Sequence, residues 1–103
     1  MANVFRVENQ LHEVVREFRD APGSPFLGLC GRRRDNRCGV MWFIEPYSDA
    51  LVNRPQQQVL LAELDELLAS GDLRDVEREA VDRVREAVVE VYEIGGYLFI
   101  RGE

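Results

Sequence analysis

Residues 72–94 place the tightest constraint on the fold. Leu73, Ala80, Val84, Ala87, Val88 and Val91 recur at spacings that line one face of an α-helix. At about 100° per residue, Asp75, Glu79, Asp82, Glu86, Glu90 and Glu93 fall within an arc of roughly 80° opposite that stripe. The row of acids runs about 27 Å along the helix at roughly 1.5 Å per residue. Asp72 stands where a cap is expected, and Gly95-Gly96 stops the pattern. A helix this long with one apolar face needs a second layer to lie on.

The neighbouring segments supply candidates for that layer. A helix is expected to begin near Pro55, with Asn53 as its cap and proline tolerated in the first turn. Leu60, Leu61, Leu64, Leu67 and Leu68 form its apolar face, and Ser70-Gly71 ends it. Tyr97-Leu98-Phe99-Ile100 reads as a closing strand.

The N-terminal half is read by the same rules. Val4, Val7, Leu11, Val14, Val15 and Phe18 have helical spacing and predict an amphipathic helix within residues 4–20, although Val4-Phe5-Arg6-Val7 also suits a short strand. Ala21-Pro22-Gly23-Ser24-Pro25 breaks the chain. Phe26 to Gly31 and Cys38 to Ile44 read as two strands of a central antiparallel hairpin, with Arg32 to Arg37 as a polar tip and Trp42 in the core. Both parities of those strands are apolar, Phe26, Val40, Trp42 and Ile44 on one and Leu27, Leu29, Met41 and Phe43 on the other. Helices on both faces, or a second chain on one, are therefore expected to cover them. The expected fold is a single α+β domain over residues 1–103. Its element order is α-β-β-α-α-β, with about three helices packed on a small antiparallel or mixed sheet of about three strands.

Charge narrows the partners. The net charge is −6, divided unevenly: residues 1–54 hold eight arginines against seven acids, and residues 55–103 hold five against twelve. Such a C-terminal half repels nucleic-acid and membrane phosphates and favours basic partners. The apolar run Val40 to Ile44 is far short of the roughly 20 residues that cross a bilayer. Asn3, Arg6 and Glu8 interrupt any leader-like apolar core, so a cytoplasmic location is expected. All the basic residues are arginine, a chain-wide bias that points to base composition of the coding sequence rather than to one local site.

Residue types that could carry chemistry are few. The acid row Asp75, Glu79, Asp82, Glu86, Glu90 and Glu93 reads either as a solvated face or as a docking strip for a basic protein. It lies along one convex helix and cannot by itself enclose a metal ion. Arg32, Arg33, Arg34 and Arg37 form a second, basic patch at the expected hairpin tip, too small to neutralise more than a few phosphates.

Cys30 and Cys38 flank that tip, and buried, reduced thiols are the expectation; a structural zinc site needs four ligands. His12, the single histidine, is expected on a polar helix face between Glu8 and Arg16. Trp42, Phe43, Tyr47, Tyr97 and Phe99 could line a ligand pocket but suit a core equally. No phosphate loop, nucleophile elbow or metal-ligand motif is present, and neither cofactor nor metal is expected.

These readings favour a small acidic binding protein, not an enzyme, that neutralises or escorts a basic protein as an immunity protein or antitoxin does. The competing expectations are a homo-oligomeric structural or phage-type accessory protein, dimerising through the spare apolar sheet face, and a thiol-dependent redox protein or enzyme using Cys30 and Cys38.

Overall fold

The chain begins with a hairpin. In the computed structural model, which describes residues 3–102, β1 (Val4–Glu8) and β2 (Val14–Arg19) pair antiparallel, with a bulge beside Val7 and Glu8. The helix expected over residues 4–20 is therefore replaced by strand, turn and strand. Three- and four-residue spacing of Val4, Val7, Leu11 and Val14 competes here with the strand preference of β-branched residues. Asn9 decides the contest, because its side-chain oxygen accepts from the amides of Leu11 and Glu13 and closes a turn. Leu11, Val14 and Val15 are left exposed, which a helix burying its apolar stripe would not allow.

The two strands expected within residues 26–44 do not form either. Pro25–Gly31 is a helix, α1, and Met41–Phe43 is a single 3₁₀ turn. Phe26, Leu27, Leu29 and Cys30 are all buried, the spacing of a helix face in contact with a core. Its start is organised from a distance. The Asp20 carboxylate accepts from the amides of Phe26 (3.3 Å) and Leu27 (3.1 Å), as well as from Ala21 (2.9 Å). Trp42, expected in the core, is half-buried beneath the Arg37 guanidinium, 4.2 Å from its ring.

Residues 45–54 are expected as a loop from Pro46 and its polar neighbours, yet Ala50–Val52 pairs with the last strand; from residue 54 onward the structure follows the expectation closely. β3 (Ala50–Val52) leads into α2 (Arg54–Ser70), then α3 (Asp75–Ile94) and β4 (Tyr97–Arg101). Asn53 caps α2 reciprocally: its side chain accepts from the Gln56 amide, and the Gln56 side chain accepts from the Asn53 amide. The α3 cap is Arg74 and not Asp72, because the Glu77 carboxylate reaches back to accept from the Arg74 amide at 2.9 Å. Gly71 and Gly95, both left-handed, end the two helices. The next residue must also be glycine, since a Cβ on Gly96 would stand 1.8 Å from the Glu8 carbonyl oxygen.

The fold is α+β, with element order β-β-α-β-α-α-β and a four-stranded antiparallel sheet ordered β2-β1-β4-β3. One face of the sheet, with Phe5, Val7, Ala50, Val52, Leu98 and Ile100, shares a continuous core with all three helices. Phe5 anchors it, stacked on Phe18 at 5.1 Å and edge-on to Phe26 at 5.7 Å. Each such pair adds about 0.5–1.5 kcal/mol beyond its burial. Gln57, 1% exposed, ties α2 to the sheet by donating to the carbonyls of Val52 and Gly96.

The opposite sheet face carries Leu51, Phe99, Arg6 and Glu17 in one cross-strand row, and none of them belongs to the core. Polar side chains lie over its rings: Arg6 is 5.8 Å from the Phe99 ring centre, and His12 stacks on Tyr97 at 4.3 Å.

Candidate functional site

The acid row keeps the placement expected of it. Asp75, Glu79, Asp82, Glu86 and Glu93 are exposed along α3, opposite the buried Ala80, Val84, Ala87, Val88 and Val91. Glu90 differs. It is half-buried and paired with Arg16 of β2, 2.9 Å away, which fastens the hairpin to the helix.

The arginines of α3 are drawn to the flanks, away from the row. Arg85 pairs with Asp65 of α2 at 2.6 Å, and Arg78 donates to the Leu68 carbonyl. Arg83 leans over Phe18 at 5.1 Å, and Arg74 pairs with Glu77. Among the described residues, Asp75, Glu79, Asp82, Glu86 and Glu93 consequently have no ion-pair partner. From Asp75 to Glu86 successive acids sit three or four residues apart, and each such pair repels by a few tenths of a kcal/mol. Glu93 adds to the penalty by standing at the negative end of the helix dipole, where the last turn carries no basic residue.

The four clustered arginines are engaged in holding the loop that follows α1. Arg32 pairs with Glu77, Arg33 with Glu63 at 3.0 Å, and Arg34 donates to the carbonyls of Trp42 and Ile44. With Arg37 over Trp42, each guanidinium meets its own chain, and no hairpin tip projects.

Besides Glu8, which meets His12, three carboxylates are buried that the sequence reading does not single out. Glu63, 5% exposed, accepts from the amides of Val40 and Met41 and from Arg33, so one side chain of α2 fixes the path of residues 33–41. Gly39 permits this, because a Cβ there would stand 2.3 Å from the Glu63 carboxylate. Glu77, 3% exposed, is pulled from the ordinary glutamate value of 4.5 down to about 2 by the Arg74 amide, the Arg74 side chain and Arg32. Burial pushes the Asp20 carboxyl up, against the amide hydrogen bonds from Leu27, Phe26 and Ala21 and the charge of Arg83.

The sequence held a signal for two of these carboxylates. Glu63 borders the apolar face formed by Leu60, Leu64 and Leu67, and Glu77 falls within the stripe that holds Leu73 and Ala80. A carboxylate inside an apolar stripe implies a buried partner. Asp20 gave no comparable sign.

The thiols separate. Cys30 is buried in α1, where desolvation pushes its pKa up and suppresses the thiolate. Cys38, expected buried, is exposed beside an open groove of about 420 Å³ shared with Gln58, Val59, Ala62 and Glu66. His12 lies on the β1–β2 turn in a left-handed conformation, not on a helix, with Nδ1 2.9 Å from the Glu8 carboxylate. Among the described residues no group of three or more His, Cys, Asp and Glu side chains is placed to hold a metal ion. Among the described residues no helix is long and apolar enough to cross a membrane. Comparison with protein-family models, curated proteins and solved structures finds no match to this chain.

Proposed function

We propose that this chain is a small acidic binding protein that docks a basic protein partner on the outward face of α3 and neutralises or escorts it, in the manner of an immunity protein or antitoxin. One observation carries the reading: an exposed row of carboxylates stands unpaired while every arginine of the same helix is directed to its flanks. A helix surface selected for stability alone would set acids four residues ahead of bases, which favours the helix by about 0.2–0.5 kcal/mol per pair. On α3 Glu79 does stand four residues ahead of Arg83, yet Arg83 leans over Phe18 instead, and the outward face keeps a one-sign field.

A basic partner relieves the repulsion on docking, so part of its binding energy is stored in the free protein. The field also steers encounter over distances near the Debye length, about 8–10 Å at physiological salt. Glu90 is a poor contact because it already holds Arg16. The docking residues are Asp75, Glu79, Asp82, Glu86 and Glu93, with Glu79, Asp82 and Glu86 at the centre.

A photo-reactive residue in place of Glu86, activated inside the cell of origin, tests the reading. The expected adduct joins this chain to a protein of net positive charge. Absence of any adduct, or an acidic protein in it, contradicts the proposal.

A further inference from the structure

The segment Glu45-Pro46-Tyr47-Ser48-Asp49 is exposed throughout, and Tyr47 at its centre is 86% exposed, more than any other exposed large apolar side chain among the described residues. The backbone on either side of it is nevertheless held. Asn3, fully buried, donates its amide to the Glu45 carbonyl at 3.0 Å. The Gly102 amide donates to the Asp49 carboxylate at 2.8 Å. Gly102 also lies so close beneath the segment that a Cβ on it would stand 2.5 Å from the Ser48 nitrogen. With Pro46 restricting the backbone as well, the segment is a braced loop that projects one aromatic side chain.

We infer that this loop is a second contact for the basic partner, with Tyr47 as an anchor that enters an apolar cleft rimmed by basic side chains; the inference rests on the binding-protein reading above. The stated chemistry follows from the residues. A tyrosine supplies a large amphipathic surface at low entropic cost and is enriched among residues that dominate interfaces. A loop braced before binding loses less freedom on docking than a mobile one. The ring stands between the carboxylates of Glu45 and Asp49, so the rim it meets is basic.

Position joins the loop to the acid row. The loop rests on the start of β1 and the end of β4, through Asn3 and Gly102. α3 enters β4 through the Gly95-Gly96 turn at the opposite end of that strand. A helix of 20 residues extends about 30 Å, whereas the five residues of β4 cover about 17 Å. Residues 32–34 link the first turn of α3 to the loop: Arg32 pairs with Glu77, and Arg34 donates to the carbonyl of Ile44, which precedes Glu45.

The test uses photo-reactive benzoylphenylalanine in the full chain, at position 47 in one variant and at position 86 in another. The same basic protein should be joined at both positions, and with that protein purified, Tyr47→Ser should weaken binding about tenfold or more while Tyr47→Phe retains most of the affinity. If position 86 captures a basic protein that position 47 does not, or if Tyr47→Ser binds it unchanged, the loop is no anchor although the acidic docking face stands. If neither position captures a basic protein, both readings fall.

Discussion

Replacing Glu63 by alanine should destabilise the protein by about 3–5 kcal/mol at neutral pH. The magnitude follows from what the carboxylate holds. It is 5% exposed and accepts from the amides of Val40 and Met41, both of which are buried residues. Each amide left without an acceptor costs about 1–3 kcal/mol. Arg33, whose side chain is 20% exposed, loses its counter-charge but can turn toward water, so its share is smaller. Glu63→Gln keeps one acceptor oxygen and loses the charge, and should cost about 1–2 kcal/mol.

A domain of this size has about 5–15 kcal/mol in total, so the alanine variant stands near the limit of folding and the glutamine variant supplies the graded comparison. Urea unfolding followed by circular dichroism measures both, and hydrogen exchange at Val40 and Met41 reports the local effect. Protection at those two amides should fall in the alanine variant by more than global stability alone explains. If Glu63→Ala stays within about 1 kcal/mol of the parent and both amides remain protected, the account of this loop is wrong.

Two further outcomes follow from the buried groups. In the native protein Cys38 should react with a thiol reagent promptly, whereas Cys30 should react only on unfolding; equal native rates would contradict its burial and raised pKa. Glu77, depressed to about 2, contributes stability that is fully present above its unfolded value of 4.5 and is lost as pH falls from 4.5 toward 2. Asp20 has the opposite sign, since its raised pKa means that protonation relieves a burial penalty and partly offsets the acid loss. Urea midpoints measured between pH 6 and pH 2.5 should therefore fall less steeply for Glu77→Gln than for the parent, and parallel curves would remove Glu77 from the acid limb.

The C-terminal half was legible because local signals agreed there. Asn53, Pro55, Gly71 and Gly95 bound two helices whose apolar stripes are long enough to be unambiguous, and Tyr97–Arg101 follows as a strand. The N-terminal half misled because its apolar runs are short. Phe26 to Gly31 satisfies a buried strand and one face of a helix alike, and the deciding contact, Asp20 to the amides of Phe26 and Leu27, spans the breaker cluster. In residues 4–18 helical spacing outweighed the strand preference of the valines only because the Asn9 turn was missed.

At the candidate site, exposure of the α3 acids was readable from helix geometry, but the pairing of Glu90 with Arg16 was not, since it depends on β2 lying beside the helix. The arginine cluster has the local sequence of a projecting tip, and the carboxylates that hold it instead, Glu63 and Glu77, lie 30 and 45 residues along the chain from Arg33 and Arg32.

The central claim, that the α3 carboxylates dock a basic protein, is tested most directly by association kinetics with the protein captured at position 86. Stopped-flow rates should be measured for the parent chain and for the double variant Glu79→Arg, Glu86→Arg, in roughly 20 mM and roughly 300 mM salt, conditions that change the screening length severalfold. Both positions are exposed and unpaired, so the reversal should leave urea stability unchanged or slightly raised. The account predicts association about tenfold or more slower for the variant at low salt, with rates converging at high salt. Equal rates for the two proteins at low salt would show that the acids of α3 are a solvated face and not a docking surface.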